Sequence, residues 1–207
     1  MKTKFLNIAL ASMLLVVTNI ANAGIITLNN STEIGVLSLS ESFKSFYDYR
    51  RSSSHTGYEQ EATAVMFLAE HNGALALYTL LDASGTKHNK RTASLAISDF
   101  DLSKVLLVDD SSEKNKNGFR WKWVDCCTDG MIYEIDDIDN FDIDLEFSNV
   151  SGFSDFKFLS FSDSGKGPVE FDISNSFSIQ AVPEPTTIAI FALGIIGLAS
   201  RRFKKKS

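Results

Sequence analysis

The chain has 207 residues, 44% of them hydrophobic and 22% charged, with a formal net charge of −6. Residues 24–182 hold 13 basic against 25 acidic residues, a balance of −12, because the other basic residues sit at the two ends. A surface of that sign repels nucleic-acid phosphates and anionic lipid and excludes a dedicated nucleic-acid binder; it serves solubility or attracts divalent cations.

Met1 to Ala23 reads MKTKFLNIALASMLLVVTNIANA, with Lys2 and Lys4 ahead of an apolar run from Ile8 to Val17. The charged start, the short apolar core and the small residues Ala21 and Ala23 are the marks of a secretory signal peptide, an N-terminal helix removed by signal peptidase to leave Gly24 first. No cysteine follows that point until Cys126, so lipoprotein processing is not expected.

Residues 24–180 are long enough for one domain that buries its core without a metal or several disulfides, and they contain no internal repeat. Strands are expected at Ile25–Leu28 and Gly35–Leu39, then a short helix or a strand over Glu41–Tyr49. The apolar runs ATAVMFLAE and ALALYTLL flank Asn72 and Gly73, the pair that supplies both positive-φ positions of a tight turn, so they should form an antiparallel hairpin. Further strands are expected at Ser94–Ile97, Lys104–Val108, Phe119–Trp123, Met131–Ile135, Phe141–Phe147, Phe156–Phe161, Val169–Ile173 and Ser176–Ile179. The alternation is clearest in FDIDLEF, where Phe141, Ile143, Leu145 and Phe147 share one face and Asp142, Asp144 and Glu146 the other. Arg50–Gly57, Gly85–Arg91 and Ser111–Gly118 should be the flexible connections. Many short strands between turn signals indicate a mainly β protein, an antiparallel β-sandwich of jelly-roll type.

The stretch VDDSSEKNKNGFRWKWVDCCTDGMIYEI holds both tryptophans, both cysteines and a group of carboxylates, and a site is to be sought there. Cys126 and Cys127 are adjacent: in an oxidising compartment they form a vicinal disulfide, and otherwise they stay as two partly buried thiols. Asp109, Asp110, Asp125 and Asp129 stand near strand ends, where loops would gather them into a calcium site or leave them as solvated acids. Trp121 and Trp123 share one strand face, as core or as a platform for stacking a sugar ring. Asp136, Asp137, Asp139 and Asn140 resemble a calcium loop loosely, without the glycine and distal glutamate of an EF-hand.

No G-x-S-x-G elbow, H-E-x-x-H helix or phosphate loop occurs, and His55, His71 and His88 all fall in polar turns. The expectation is therefore a protein without catalytic residues.

The chain finishes AVPEPTTIAIFALGIIGLASRRFKKKS. Pro183 and Pro185 hold the backbone extended. The 15 residues from Thr186 to Ser200 rise about 23 Å as a helix against a hydrocarbon core of about 30 Å. Such a transmembrane helix spans with help from the snorkelling cluster Arg201, Arg202, Lys204, Lys205 and Lys206, whose charge puts that end in the cytoplasm. The signal peptide requires the same orientation. Val182, Pro183, Glu184 and Pro185, followed by the apolar run and RRFKKK, resemble the PEP-CTERM sorting signal of Gram-negative, exopolysaccharide-producing bacteria, a tail also labelled an ice-binding-protein C-terminal domain. That resemblance covers about residues 181–206 of the segment 181–207. It implies recognition of Pro183, Glu184 and Pro185 by an exosortase, a brief stay at the inner membrane, and a mature form at the cell surface or in the extracellular matrix. The reading is then an exported protein with a structural or adhesive role in a biofilm. A carbohydrate-binding module for exopolysaccharide is second. A glycan-processing hydrolase, which needs two facing carboxylates, is third.

Overall fold

The computed structural model describes residues 25–51, 53–83, 90–123, 127–152, 155–162 and 166–182. The signal segment with Ala21, Ala23 and Gly24, the tail with Pro183, Glu184, Pro185, the apolar run and the basic cluster, and also Asp125 and Cys126, lie outside them. Among the described residues no helix is long and apolar enough to cross a membrane.

Ile26–Val182 is one compact unit. In chain order its elements are β1 (Ile25–Leu28), β2 (Thr32–Glu33), β3 (Leu37–Ser38), α1 (Phe43–Tyr47), β4 (Thr63–His71), β5 (Ala74–Leu81), β6 (Arg91–Ile97), β7 (Val105–Val108), β8 (Lys114–Asn115), β9 (Gly118–Trp123), β10 (Asp129–Ile135), β11 (Asp142–Ser151), β12 (Asp155–Ser160), β13 (Val169–Asp172) and β14 (Ser176–Val182). They make two sheets, ordered β2-β1-β14-β11-β6-β9-β8 and β13-β12-β4-β5-β10-β7, with β3 also on β4.

The inner faces of the two sheets meet in one core. Ala93, Leu95, Phe119, Trp121, Leu145, Phe147 and Ile179 come from the first sheet, and Met66, Leu68, Leu75, Leu77, Met131 and Phe158 from the second. The first sheet turns its other face to water: Arg120, Lys122, Asp142, Asp144 and Glu146 are exposed between buried neighbours, so its strands alternate as β11 does in the sequence. The central strands β4, β5 and β10 of the second sheet are buried on both faces. Val65, Phe67 and Ala69 of β4, Ala76, Tyr78 and Leu80 of β5 and Ile132 of β10 pack outward against Phe43 and Tyr47 of α1. A strand buried on both sides needs no polar row, which is why the runs around β4 and β5 are unbroken.

The turn between them is as expected: Asn72 and Gly73 have φ of 53° and 79°, and His71 pairs with Ala74. Helix α1 settles the alternatives open over Glu41–Tyr49. Ser42 caps it by accepting from the Ser45 amide at 3.3 Å, and Asp48 ends it in the left-handed conformation. Over α1, Phe67 and Tyr78 stack at 4.8 Å, and the Tyr78 hydroxyl donates to the Phe43 carbonyl at 2.8 Å.

Two expectations are corrected. The architecture is mixed, because β3 and β12 both run parallel to β4, with Leu37 opposite Ala69 and Asp155 opposite Thr63. Parallel neighbours need a long crossover, and the connection from β3 to β4 is the segment carrying α1 over the sheet. The stretch Ser111–Gly118 is also structured: a 3₁₀ turn at Ser111–Glu113 leads into a β8–β9 hairpin.

The sheets are also tied at one end by a buried ion pair. Arg91 at the start of β6 places Nη1 2.9 Å from Asp82 Oδ2 just after β5, and Asp82 Oδ1 accepts from the Ala62 amide at 3.0 Å.

Candidate functional site

The second sheet ends, at its β7 and β10 edge, in a cluster of acids that only partly matches the expected set. Asp109 follows β7, Glu113 closes the 3₁₀ turn and Asp129 opens β10. Tyr47, the last residue of α1, donates its hydroxyl to Asp109 Oδ1 at 2.9 Å. It can approach because position 130 is glycine: a Cβ there would lie 2.5 Å from the Tyr47 hydroxyl and 2.3 Å from the Thr79 carbonyl. Glu113 accepts from the Asp110 amide at 3.4 Å, and the Ser53 hydroxyl accepts from the amide of buried Thr128 at 3.1 Å.

Burial dominates the electrostatics here. It pushes Asp109 up to about 8, opposed by the Tyr47 hydrogen bond and reinforced by the charges of Asp129, Glu113 and Asp110. Burial, then the charge of Asp129, takes Glu113 up to about 8. Asp129, only 7% exposed, is raised to about 7 by burial and then by Asp110. Burial and the neighbouring acids hold the Tyr47 hydroxyl well above its usual range, so it stays a donor. Glu59, beside the same loop, goes the other way. Burial would raise it, but hydrogen bonds from Ser54, the backbone and Thr56 bring it below the ordinary range.

Of the four aspartates expected to gather, Asp109 and Asp129 share this cluster, Asp110 stays exposed, and Asp125 lies outside the described residues. Among the described residues no group of three or more His, Cys, Asp or Glu side chains is placed to hold a metal ion. Burial favours the protonated form of Asp109, Glu113 and Asp129 toward neutral pH. Sequence reasoning missed Glu113 and Tyr47. Nothing local links residue 47 to residue 109, since the link is made by α1 crossing the sheet.

The tryptophans are core. Trp121 is fully buried and Trp123 is 7% exposed, because both face inward from β9, and Trp121 stacks on Phe119 at 5.3 Å. This corrects the stacking-platform alternative: neither ring presents a face to a sugar. Cys127 is disulfide-bonded, and the chain's other cysteine is Cys126. The acids of 136–140 lie in a turn where the Asp137 carboxylate accepts from the Asp139 amide at 3.1 Å, and Lys104 pairs with Asp136.

Two cavities open on the solvent face of the first sheet. One of 430 Å³ is lined by Thr92, Ala93, Ser94, Arg120, Trp121, Lys122 and Asn149. The other, of 290 Å³, adjoins it and adds Asn115, Asn117 and Ser148. No carboxylate lines either.

Residues 181–205 match the family model described as the PEP-CTERM protein-sorting motif. No curated protein and no solved structure matches the chain. The motif implies recognition by an exosortase and export through a membrane-anchored precursor.

Proposed function

We propose that this chain is a non-enzymatic surface or matrix protein, delivered by exosortase sorting and acting through adhesion or matrix structure. The observation that carries the reading is the sorting motif at residues 181–205, which begins in the last two residues of the β unit Ile26–Val182. In this reading the signal peptide is removed before Gly24, the apolar run holds the precursor in the inner membrane, and Pro183, Glu184 and Pro185 present the cleavage signal. The β unit is what remains outside the cell.

A non-catalytic role is supported by the separation of cavities from acids. The carboxyl groups with raised pKa, Asp109, Glu113 and Asp129, are packed at the β7–β10 edge, whereas the lining of neither cavity includes a carboxylate. A glycan hydrolase needs its acid and its nucleophile or base in the cleft that takes the sugar.

The test is the intact mass of the protein recovered from the cell surface or medium of its native host. A chain from Gly24 to near Val182 or Pro185 supports the reading, and one retaining Arg201–Ser207 in the membrane fraction rejects it. Pro183→Ala with Pro185→Ala should block maturation and leave export intact.

A further inference from the structure

The hairpin of β8 and β9 runs against the electrostatics of the rest of the unit. Lys114, Lys116, Arg120 and Lys122 fall within the nine residues KNKNGFRWK, with no acid among them. Four of the 13 basic residues of 24–182 are thus concentrated on a hairpin of a strongly acidic protein. All four are exposed. The cations of Arg50, Arg91, Lys104 and Lys157 pair with Asp48, Asp82, Asp136 and Glu170, whereas among the described residues Lys114, Lys116, Arg120 and Lys122 make no ion pair.

Two of them form the wall of the larger cavity. Arg120 and Lys122 are two positions apart on β9, so both leave the same face of the sheet, about 7 Å apart along the strand. The floor is β6, whose register puts Ser94 opposite Arg120 and Thr92 opposite Lys122. Small side chains there keep the floor low. The far side is raised by a break in the β11–β6 register between Ser148 and Ser151, where Asn149 takes a positive φ of 51°. Asn149 is held at that height by the Thr92 hydroxyl, which donates to its carbonyl at 2.8 Å. Its side-chain amide reaches Ser94 Oγ at 3.4 Å. The second cavity extends the trough toward Asn115 and Asn117 at the hairpin turn.

We propose that this trough binds an acidic polysaccharide, with Arg120 and Lys122 pairing its carboxylates and the Ser94, Thr92, Asn149, Asn115 and Asn117 side chains hydrogen-bonding its hydroxyls. The chemistry of the lining selects this ligand. Cations spaced along one strand match a chain with recurrent negative charge, and a floor of hydroxyls and amides matches a chain rich in hydroxyls. A single-stranded nucleic acid would need a ring on which to stack bases, and the aromatics of β9 all face the core. A peptide would need free main-chain partners, and the β6 and β9 ladders already pair theirs from Arg91 to Ala96. The inference goes beyond the sorting reading, because it names a ligand and stands whether or not the tail is processed.

The experiment is equilibrium binding of the full chain, in mild detergent with EDTA, to immobilised polygalacturonate, dextran and a single-stranded DNA oligonucleotide. Polygalacturonate should bind in preference to both others and be released by salt. Arg120→Ser with Lys122→Ser should weaken it by about tenfold or more, since both charge-assisted contacts are lost. Arg120→Lys with Lys122→Arg should keep most of the binding at the same melting temperature, which separates loss of charge from loss of fold. Any of four results overturns the proposal: equal retention on dextran, tighter binding of the DNA, indifference to the double serine variant, or binding that appears only when calcium replaces EDTA. The last would put the polymer on the acidic surface. Intact mass from the host is unaffected by all four, so the sorting reading is judged separately.

Discussion

The two sheets contribute to the same core and differ in what lies behind them. The sheet of β4, β5 and β10 is roofed by α1 and its aromatic neighbours, so its strands are apolar on both faces. The sheet of β6, β9 and β11 has water behind it, and its strands alternate. The difference assigns work to each. Strands sealed on both sides supply stability and offer no face to a ligand, whereas the open sheet carries long exposed polar rows and both cavities described above. Chemistry at the roofed sheet is confined to its β7–β10 edge, where buried acids are tuned by desolvation.

The comparison is broken most directly by hollowing the roofed sheet. Phe67→Ala removes a fully buried ring stacked on Tyr78 and should cost about 3–5 kcal/mol in urea unfolding. Arg91→Ala breaks the buried ion pair with Asp82 at the point where the sheets are tied, and a loss of about 3–5 kcal/mol is expected. Losses below about 1 kcal/mol from both would mean that neither the ring beneath α1 nor the tie between the sheets is buried as described.

Gly130→Ala comes next. Its methyl group meets the Thr79 carbonyl and the Tyr47 hydroxyl, so the β5–β10 pair must give and the Tyr47 hydroxyl must move, at about 1–3 kcal/mol by the scale of overpacking. Loss of the Tyr47–Asp109 bond should accompany it, seen as a changed tyrosine environment in near-ultraviolet circular dichroism.

The pH dependence sharpens the contrast at the edge. Asp109, Glu113 and Asp129 titrate higher in the folded chain than ordinary carboxyl groups, at about 8, 8 and 7, against about 4 when unfolded. Their contribution to stability is therefore full below about pH 4 and is lost as pH rises through about 7–8. Glu59 has the opposite sign, and its share is lost as pH falls through its lowered folded value. The melting temperature should be lower at pH 8.5 than at pH 5.5, and Asp129→Asn should raise it at pH 8.5 while changing it little at pH 5.5. A parent protein equally stable at both would remove the account of buried acids. The smallest effect belongs to the open face: Asp144→Asn should stay within about 0.5 kcal/mol, because Asp144 points to solvent from β11.

Much of this was legible in the chain. FDIDLEF and FRWKW encode half-buried strands by alternation, and Asn72-Gly73 encodes its hairpin by backbone stereochemistry. The acid cluster was half legible. Asp109 and Asp129 fall in a stretch rich in carboxylates, but their partners Tyr47 and Glu113 carry no local mark. The tryptophans show what periodicity carries: alternation puts Trp121 and Trp123 on the apolar face of FRWKW, and the packing of the second sheet against that face makes them core.

By itself the sequence determined the β composition, the strand positions, the acidic balance and the tail motif at residues 181–205. These depend on neighbouring residues, on charge counts or on a short linear signal. Only the tertiary structure decided that β3 and β12 lie parallel to β4, that α1 roofs one sheet, and that Trp121 is buried. It also decided that Arg120 and Lys122 face a trough across from Asn149. Each of these joins segments distant in the chain, where pairing is chosen by which surfaces can be buried together.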